Sequence, residues 1–148
     1  MKKIEYELGP CHFLECVLPW FLERSSILVN SATVGMWEFG IPNTYTGVVI
    51  ESQKQYKAFF SEYAWEAHIT IPALDKNLHI ITEEAFIESS YQIYIYYYDG
   101  NFLNVWFKDD ISATLFEDHL KQGTIIYPTK EKIVELIRES SNNFSIWG

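Results

Sequence analysis

Positive charge is scarce in this chain. Eleven Lys and Arg stand against twenty Asp and Glu, a formal net charge of −9. A strongly acidic protein is repelled by phosphate backbones, so direct nucleic-acid binding is not expected. Cysteine is scarcer still, with only Cys11 and Cys16. Five residues apart in a helix, they would face different ways, which disfavours a disulfide and fits a reducing cytosol. No apolar run approaches the length of a membrane span. The first segment, residues 1–24, has a basic tip. Its apolar run is broken by Glu15 and lacks a small-residue cleavage site, which makes a poor signal peptide. The expectation is a soluble cytoplasmic protein without membrane contact.

Signatures of common chemistry are also missing. There is no G-x-S-x-G elbow, no P-loop and no G-x-G-x-x-G fingerprint. No Ser/Gly-rich linker, low-complexity tract or internal repeat divides the chain. Residues 1–148 therefore read as a single domain.

What the sequence has in plenty is aromatic side chain: ten Tyr, ten Phe and five Trp, 17% of all residues. With 48% apolar and 21% charged residues, the composition is that of a globular protein able to bury a core without disulfides or metal. The acids are unevenly placed. Residues 58–118 hold eleven acids and two bases, while the rest holds nine of each, so the whole net charge lies in the middle. Such charge is ordinarily a solvated surface, and it also attracts basic partners.

Local patterns give the elements. Residues 10–24 read as a buried helix with Pro10 in its first turn and Pro19 kinking or splitting it. Residues 27–39 lean to strand, with Gly35 as a possible bulge; 39–47 read as a loop and 47–51 as a short strand. Ser52 caps a helix over 52–65 through Tyr56, Phe59, Phe60, Tyr63 and Ala64. Residues 68–71 and 77–82 read as strands, followed by a helical turn at 83–86. Residues 109–123 read as an Asp-capped helix with Ile111, Leu115 and Leu120 inward, Ala113 and Phe116 beside them, and Gly123 at its end. Residues 124–128 read as a strand or extended link, and 129–140 as an amphipathic helix through Ile133, Val134, Leu136 and Ile137. The fold class is α+β: a mainly antiparallel sheet centred on a hairpin over 91–107, flanked by about four helices.

That hairpin holds eight aromatic residues in seventeen. Asp99-Gly100 between two β-rich runs signals a two-residue turn. Such a turn pairs Tyr98 with Asn101, Tyr96 with Leu103 and Tyr94 with Val105. One face then carries Tyr94, Tyr96, Tyr98, Leu103, Val105 and Phe107. The other carries Tyr91, Ile93, Ile95, Tyr97, Phe102, Asn104, Trp106 and Lys108. Ile93, Ile95 and Trp106 suit the core. The three phenols of Tyr94, Tyr96 and Tyr98 each want a partner or water, so their face is either packed under a helix or a contact surface.

Four groups have the residue types for chemistry. His68-Ile69-Thr70 matches the H-x-T element of two-histidine phosphoesterases, but His79 lies in H-I-I-T, which breaks the required second copy. His12 and Cys16, four apart, have metal-ligand spacing but no second pair, so no metal and no cofactor is expected. Glu62 and Glu66 could do acid/base work with His68, which leaves a small enzyme or Tyr-lined ligand-binding cleft as the alternative function. His119 reads as a surface residue near a helix C-terminus.

The remaining pattern is a patch. Glu83, Glu84 and Glu88 precede the hairpin, Asp99 caps its tip, Asp109 and Asp110 follow it, and Glu117 and Asp118 lie on the next helix. If they share a side with Tyr94, Tyr96 and Tyr98, they form an aromatic centre with a charged rim, the build of a protein interface. In size, acidity, aromatic richness and lack of an active-site signature, the chain resembles the immunity proteins of bacterial polymorphic and contact-dependent toxin systems. That resemblance implies a non-enzymatic protein that binds a basic cognate toxin or nuclease domain and occludes its active site. A third possibility is an adaptor whose acidic middle is only a solvated face.

Overall fold

The computed structural model describes residues 1–7, 16–35, 43–59, 64–99 and 101–122. They form a six-stranded sheet in the order β1-β6-β5-β4-β2-β3, with every neighbouring pair antiparallel. The strands are β1 (Lys2–Glu7), β2 (Ile27–Val34), β3 (Asn43–Ile50), β4 (Ala64–Ile71), β5 (Ile93–Tyr98) and β6 (Phe102–Phe107). Four helices occur among the described residues: α1 (Leu18–Leu22), α2 (Gln53–Phe59), α3 (Glu83–Glu88) and α4 (Asp110–Gln122). This is the α+β class that the sequence implies.

Several elements differ from the local reading. Residues 2–7 gave no local signal strong enough to assign, yet they form edge strand β1 along β6. Ile4 is buried, while Lys3, Glu5 and Glu7 are exposed, a period-two pattern. Pro19 stands in the first turn of α1, directly after a π-helical turn at residues 16–17, where its missing N–H costs little. The 39–47 loop is partly strand, since Asn43 to Gly47 belong to β3, paired with β2. Of the 52–65 helix, the described part is α2 (Gln53–Phe59), while Ala64 and Trp65 lie in β4. Long-range pairing with β2 and β5 outweighs helical propensity there.

Residues 77–82 are not a strand. They run irregularly over the sheet, and the buried Asn30 fixes them: Ile80 N donates to Asn30 Oδ1 at 3.1 Å, while Asn30 Nδ2 donates to Thr70 Oγ1 at 3.0 Å. Gly47 makes the close approach possible. Its φ is +64°, and a Cβ there would meet the Lys76 carbonyl oxygen at 2.8 Å.

On one face of the sheet, Ile69, Ile95, Leu103, Val105 and Phe107 pack with Leu18 and Phe21 of α1 and Ala113, Phe116 and Leu120 of α4. Asp109 caps α4, accepting from Ile111 N and Ser112 N. Ile111 and Leu115, expected inward, are 72% and 55% exposed. The buried face runs instead through 113, 116 and 120, because Phe116 docks between Trp20, Phe21 and Phe107 at 5.0–5.7 Å. The other face has a smaller core of Leu28, Ile80, Phe86, Tyr91, Tyr94 and Trp106 beneath α3. The readings for 8–15 and for 123–140 lie outside the described residues.

Candidate functional site

The hairpin register decides which side chains share the second face. Tyr98 pairs with Phe102, Tyr96 with Asn104 and Tyr94 with Trp106. Three residues therefore separate the strands, not two. Asp99 adopts φ 55° and Asn101 N donates to the Tyr98 carbonyl at 3.2 Å. This corrects the two-residue turn. A one-residue change in register moves every β6 side chain to the opposite face. Leu103, Val105 and Phe107 thus join Ile93 and Ile95 in the core, and Phe102, Asn104 and Trp106 join the tyrosines.

A row of rings results. Trp106 stacks on Tyr94 at 4.8 Å, His68 lies over Tyr96 at 4.4 Å, Tyr96 stacks on Tyr98 at 4.8 Å and Tyr98 on Phe102 at 5.3 Å. Cover fades along it. Tyr94 is 1% exposed, under Phe86 of α3; Tyr96 and Tyr98 are half-buried; Phe102, at the tip, is 36% exposed. Tyr94 belongs to the core, and the accessible part of the row begins at Tyr96.

Glu66, His68 and Tyr94 form a hydrogen-bonded chain. His68 Nε2 lies 3.0 Å from Glu66 Oε1, and Nδ1 lies 2.7 Å from the Tyr94 hydroxyl. Burial lowers the His68 pKa, against an opposing pull from Glu66, which favours the neutral ring. A carboxylate only accepts. Nε2–H therefore donates to Glu66, and Nδ1 accepts from the Tyr94 O–H. Carboxylate, imidazole and hydroxyl in series have the form of a nucleophile-activating triad. Here the hydroxyl is buried, and burial, then Tyr96 and Glu66, push its pKa well above that of a free phenol. The chain positions rings; it presents no nucleophile.

Two concavities flank the exposed rings. The larger, about 520 Å³, lies over β1, β6 and β5 between Glu5, Glu7, Phe102, Asn104, Trp106 and the edges of Tyr96 and Tyr98. Lys3 occupies part of it, 5.0 Å from the Trp106 ring centre and 2.8 Å from Glu5 Oε1. The smaller, about 230 Å³, lies on the other side of Tyr96 and Tyr98, against Thr33, Trp65, Glu66 and Asp99.

No match to the chain was found among family models, curated proteins or solved structures.

Of the acids in the sequence patch, Asp99 stands beside the exposed rings, and Glu83, Glu84 and Glu88 lie on α3, over the buried end of the row. Asp109 and Asp110 are engaged at the start of α4. Glu117 and Asp118 lie on α4, which covers the opposite face, and Glu117 pairs with Lys2. The acids thus do not all share a side with the tyrosines. Those that do reach the exposed rings include Glu5, Glu7 and Glu66. The first two were missed because β1 was not recognised. The alternation in K-I-E-Y-E was the available signal.

The other candidates fare differently. His79 is exposed on the irregular segment after β4 and offers no facing copy of the His68 strand. His119 is not a free surface residue: its Nε2 donates to the Cys16 carbonyl at 3.1 Å and its ring stacks on Trp20. Glu62, Cys11 and His12 lie outside the described residues. Among the described residues no group of three His, Cys, Asp or Glu is placed to hold a metal, and no helix is long and apolar enough to cross a membrane.

Proposed function

We propose that this chain is a non-enzymatic binding protein that neutralises a basic cognate protein, in the role of a cytoplasmic immunity protein against a bacterial toxin domain. One observation carries the reading. The Tyr96–Tyr98–Phe102 rings stay partly open on the sheet, between concavities edged by Glu5, Glu7, Glu66 and Asp99. Aromatic rings anchor protein interfaces because they bury large area with little entropy lost, and a charged rim steers the encounter. A positively charged nuclease site is the natural complement, and covering it would block substrate.

The Glu66–His68–Tyr94 chain favours a second reading, a small enzyme. It ranks lower because its hydroxyl has no path to a substrate.

The test starts from the neighbouring reading frames. A basic terminal domain of an adjacent secreted protein is purified and titrated with this chain. Tight binding, association that slows as salt rises, and loss of the domain's toxic activity support the proposal. No binding to such a domain, or a neighbourhood of metabolic genes alone, removes it.

A further inference from the structure

The smaller concavity has a more specific chemistry than the larger. β4 and β2 are out of step at its edge: Thr33 pairs with Glu66, but Val34 pairs with Ala64, which leaves Trp65 as an extra residue. In a regular strand, neighbours point to opposite faces. The bulge breaks that alternation, so Trp65 and Glu66 line the same pocket. β5 and its turn add Tyr96, Tyr98 and Asp99.

The result is a pocket with aromatic walls and two carboxylates. Neither carboxylate is neutralised by the described residues. Glu66 bonds only His68, whose burial favours the neutral ring, and no described Lys or Arg pairs with Glu66 or Asp99. Burial, then the charges of Glu66, Tyr98 and Asp99, raise the Tyr96 pKa. Burial opposes charge of either sign, but the carboxylates of Glu66 and Asp99 attract a cation placed against the ring. Part of the neighbouring groove shows the same combination with a cation in place, Lys3 lying over Trp106 and against Glu5. Among the described residues, the smaller pocket has the ring-and-carboxylate frame without a cation.

We infer that this pocket is an arginine socket, which takes one guanidinium side chain of the basic partner. The identity of the partner rests on the proposal above; the socket rests on its own geometry. A guanidinium suits the site better than an ammonium, because its plane stacks on aromatic rings while its fork donates to carboxylates. At about 230 Å³ the space fits a side chain, and falls below the roughly 300–1,000 Å³ of small-molecule sites.

The full chain is titrated with N-acetyl-arginine amide, with N-acetyl-lysine amide and tetramethylammonium as comparators, and the Trp65, Tyr96 and Tyr98 signals are followed by NMR. Arginine amide should give saturable shifts at these three residues, with a dissociation constant on the order of 1–10 mM, and bind at least about threefold more tightly than either comparator. Glu66→Gln and Asp99→Asn should each weaken it about fivefold. Both variants preserve the fold's needs: glutamine still accepts from His68, and asparagine tolerates the positive φ of Asp99. Ile111→Ala, an exposed position on α4 over the opposite face of the sheet, should leave arginine binding unchanged.

Absence of saturable shifts, equal binding of tetramethylammonium, or unchanged binding by the Glu66→Gln/Asp99→Asn variant overturns the socket. A partner captured with full affinity by that double variant also overturns it, and leaves the neutralising role standing. Arginine binding at the socket with no partner captured does the reverse.

Discussion

The two faces of the sheet are drawn from the same strands, residue by residue in alternation, yet they are finished differently. One presents Ile93, Ile95, Leu103, Val105 and Phe107, and α1 and α4 close over it. These side chains have no polar atoms, so burial alone satisfies them. The other presents Tyr94, Tyr96, Asn104 and Trp106 with His68, and α3 closes over one end only. Its rings carry polar atoms that need partners when covered, and it supplies them at the covered end: His68 for Tyr94, and the Asp75 backbone for the Tyr91 hydroxyl. Toward the tip, among the described residues, that provision lapses and the cover thins, with Tyr96 and Tyr98 half-buried and Phe102 exposed. A ring with a polar edge can serve as core or as surface, and this face uses it as both.

The contrast can be broken by mutation. The largest loss belongs to the closed face. Phe116→Ala removes a fully buried ring set among Trp20, Phe21 and Phe107. It should cost about 3–5 kcal/mol in urea unfolding. At the covered end of the second face, Tyr94→Phe leaves His68 Nδ1 without its donor, and the same measurement should read a loss of about 1–3 kcal/mol. A change near zero would mean that the hydroxyl–imidazole bond contributes nothing to this end.

A smaller effect comes with pH. Burial holds His68 below the usual 6.5, so the unfolded chain takes the proton more readily than the folded protein. This contribution to stability is complete above about pH 6.5 and is lost as pH falls from there toward the lower folded value. The slope is at most about 1.4 kcal/mol per pH unit. Denaturant midpoints collected across this range should show the decline, and His68→Gln should flatten it. The smallest change in stability is expected at the open end. Phe102→Ala should cost under about 1 kcal/mol, while lowering partner affinity at least about tenfold in calorimetric titration. Loss of stability as large as that of Phe116→Ala would erase the distinction between the two faces.

Much of this arrangement was legible in the chain. Alternation alone placed Tyr94, Tyr96 and Tyr98 on one side of β5, and Asp99-Gly100 located the hairpin. The face taken by each β6 side chain is not legible in composition, because turn length sets its register. Strand β1 escaped notice because its pairing partner lies some hundred residues away along the chain. The exposure of Ile111 and Leu115 follows from how Phe116 meets α1, which no helical periodicity contains. Trp65 joins the pocket through a bulge between β2 and β4, a mismatch of two strands that neither strand's sequence announces.

The odd count of the 99–101 connection carries an evolutionary constraint. Removing or adding a single residue there would exchange inside for outside along all of β6, sending Phe102, Asn104 and Trp106 into the core. Changes by two would preserve sidedness. Length variation at this turn should therefore be inherited in even steps, so that the connection acts as a parity check on the face it joins.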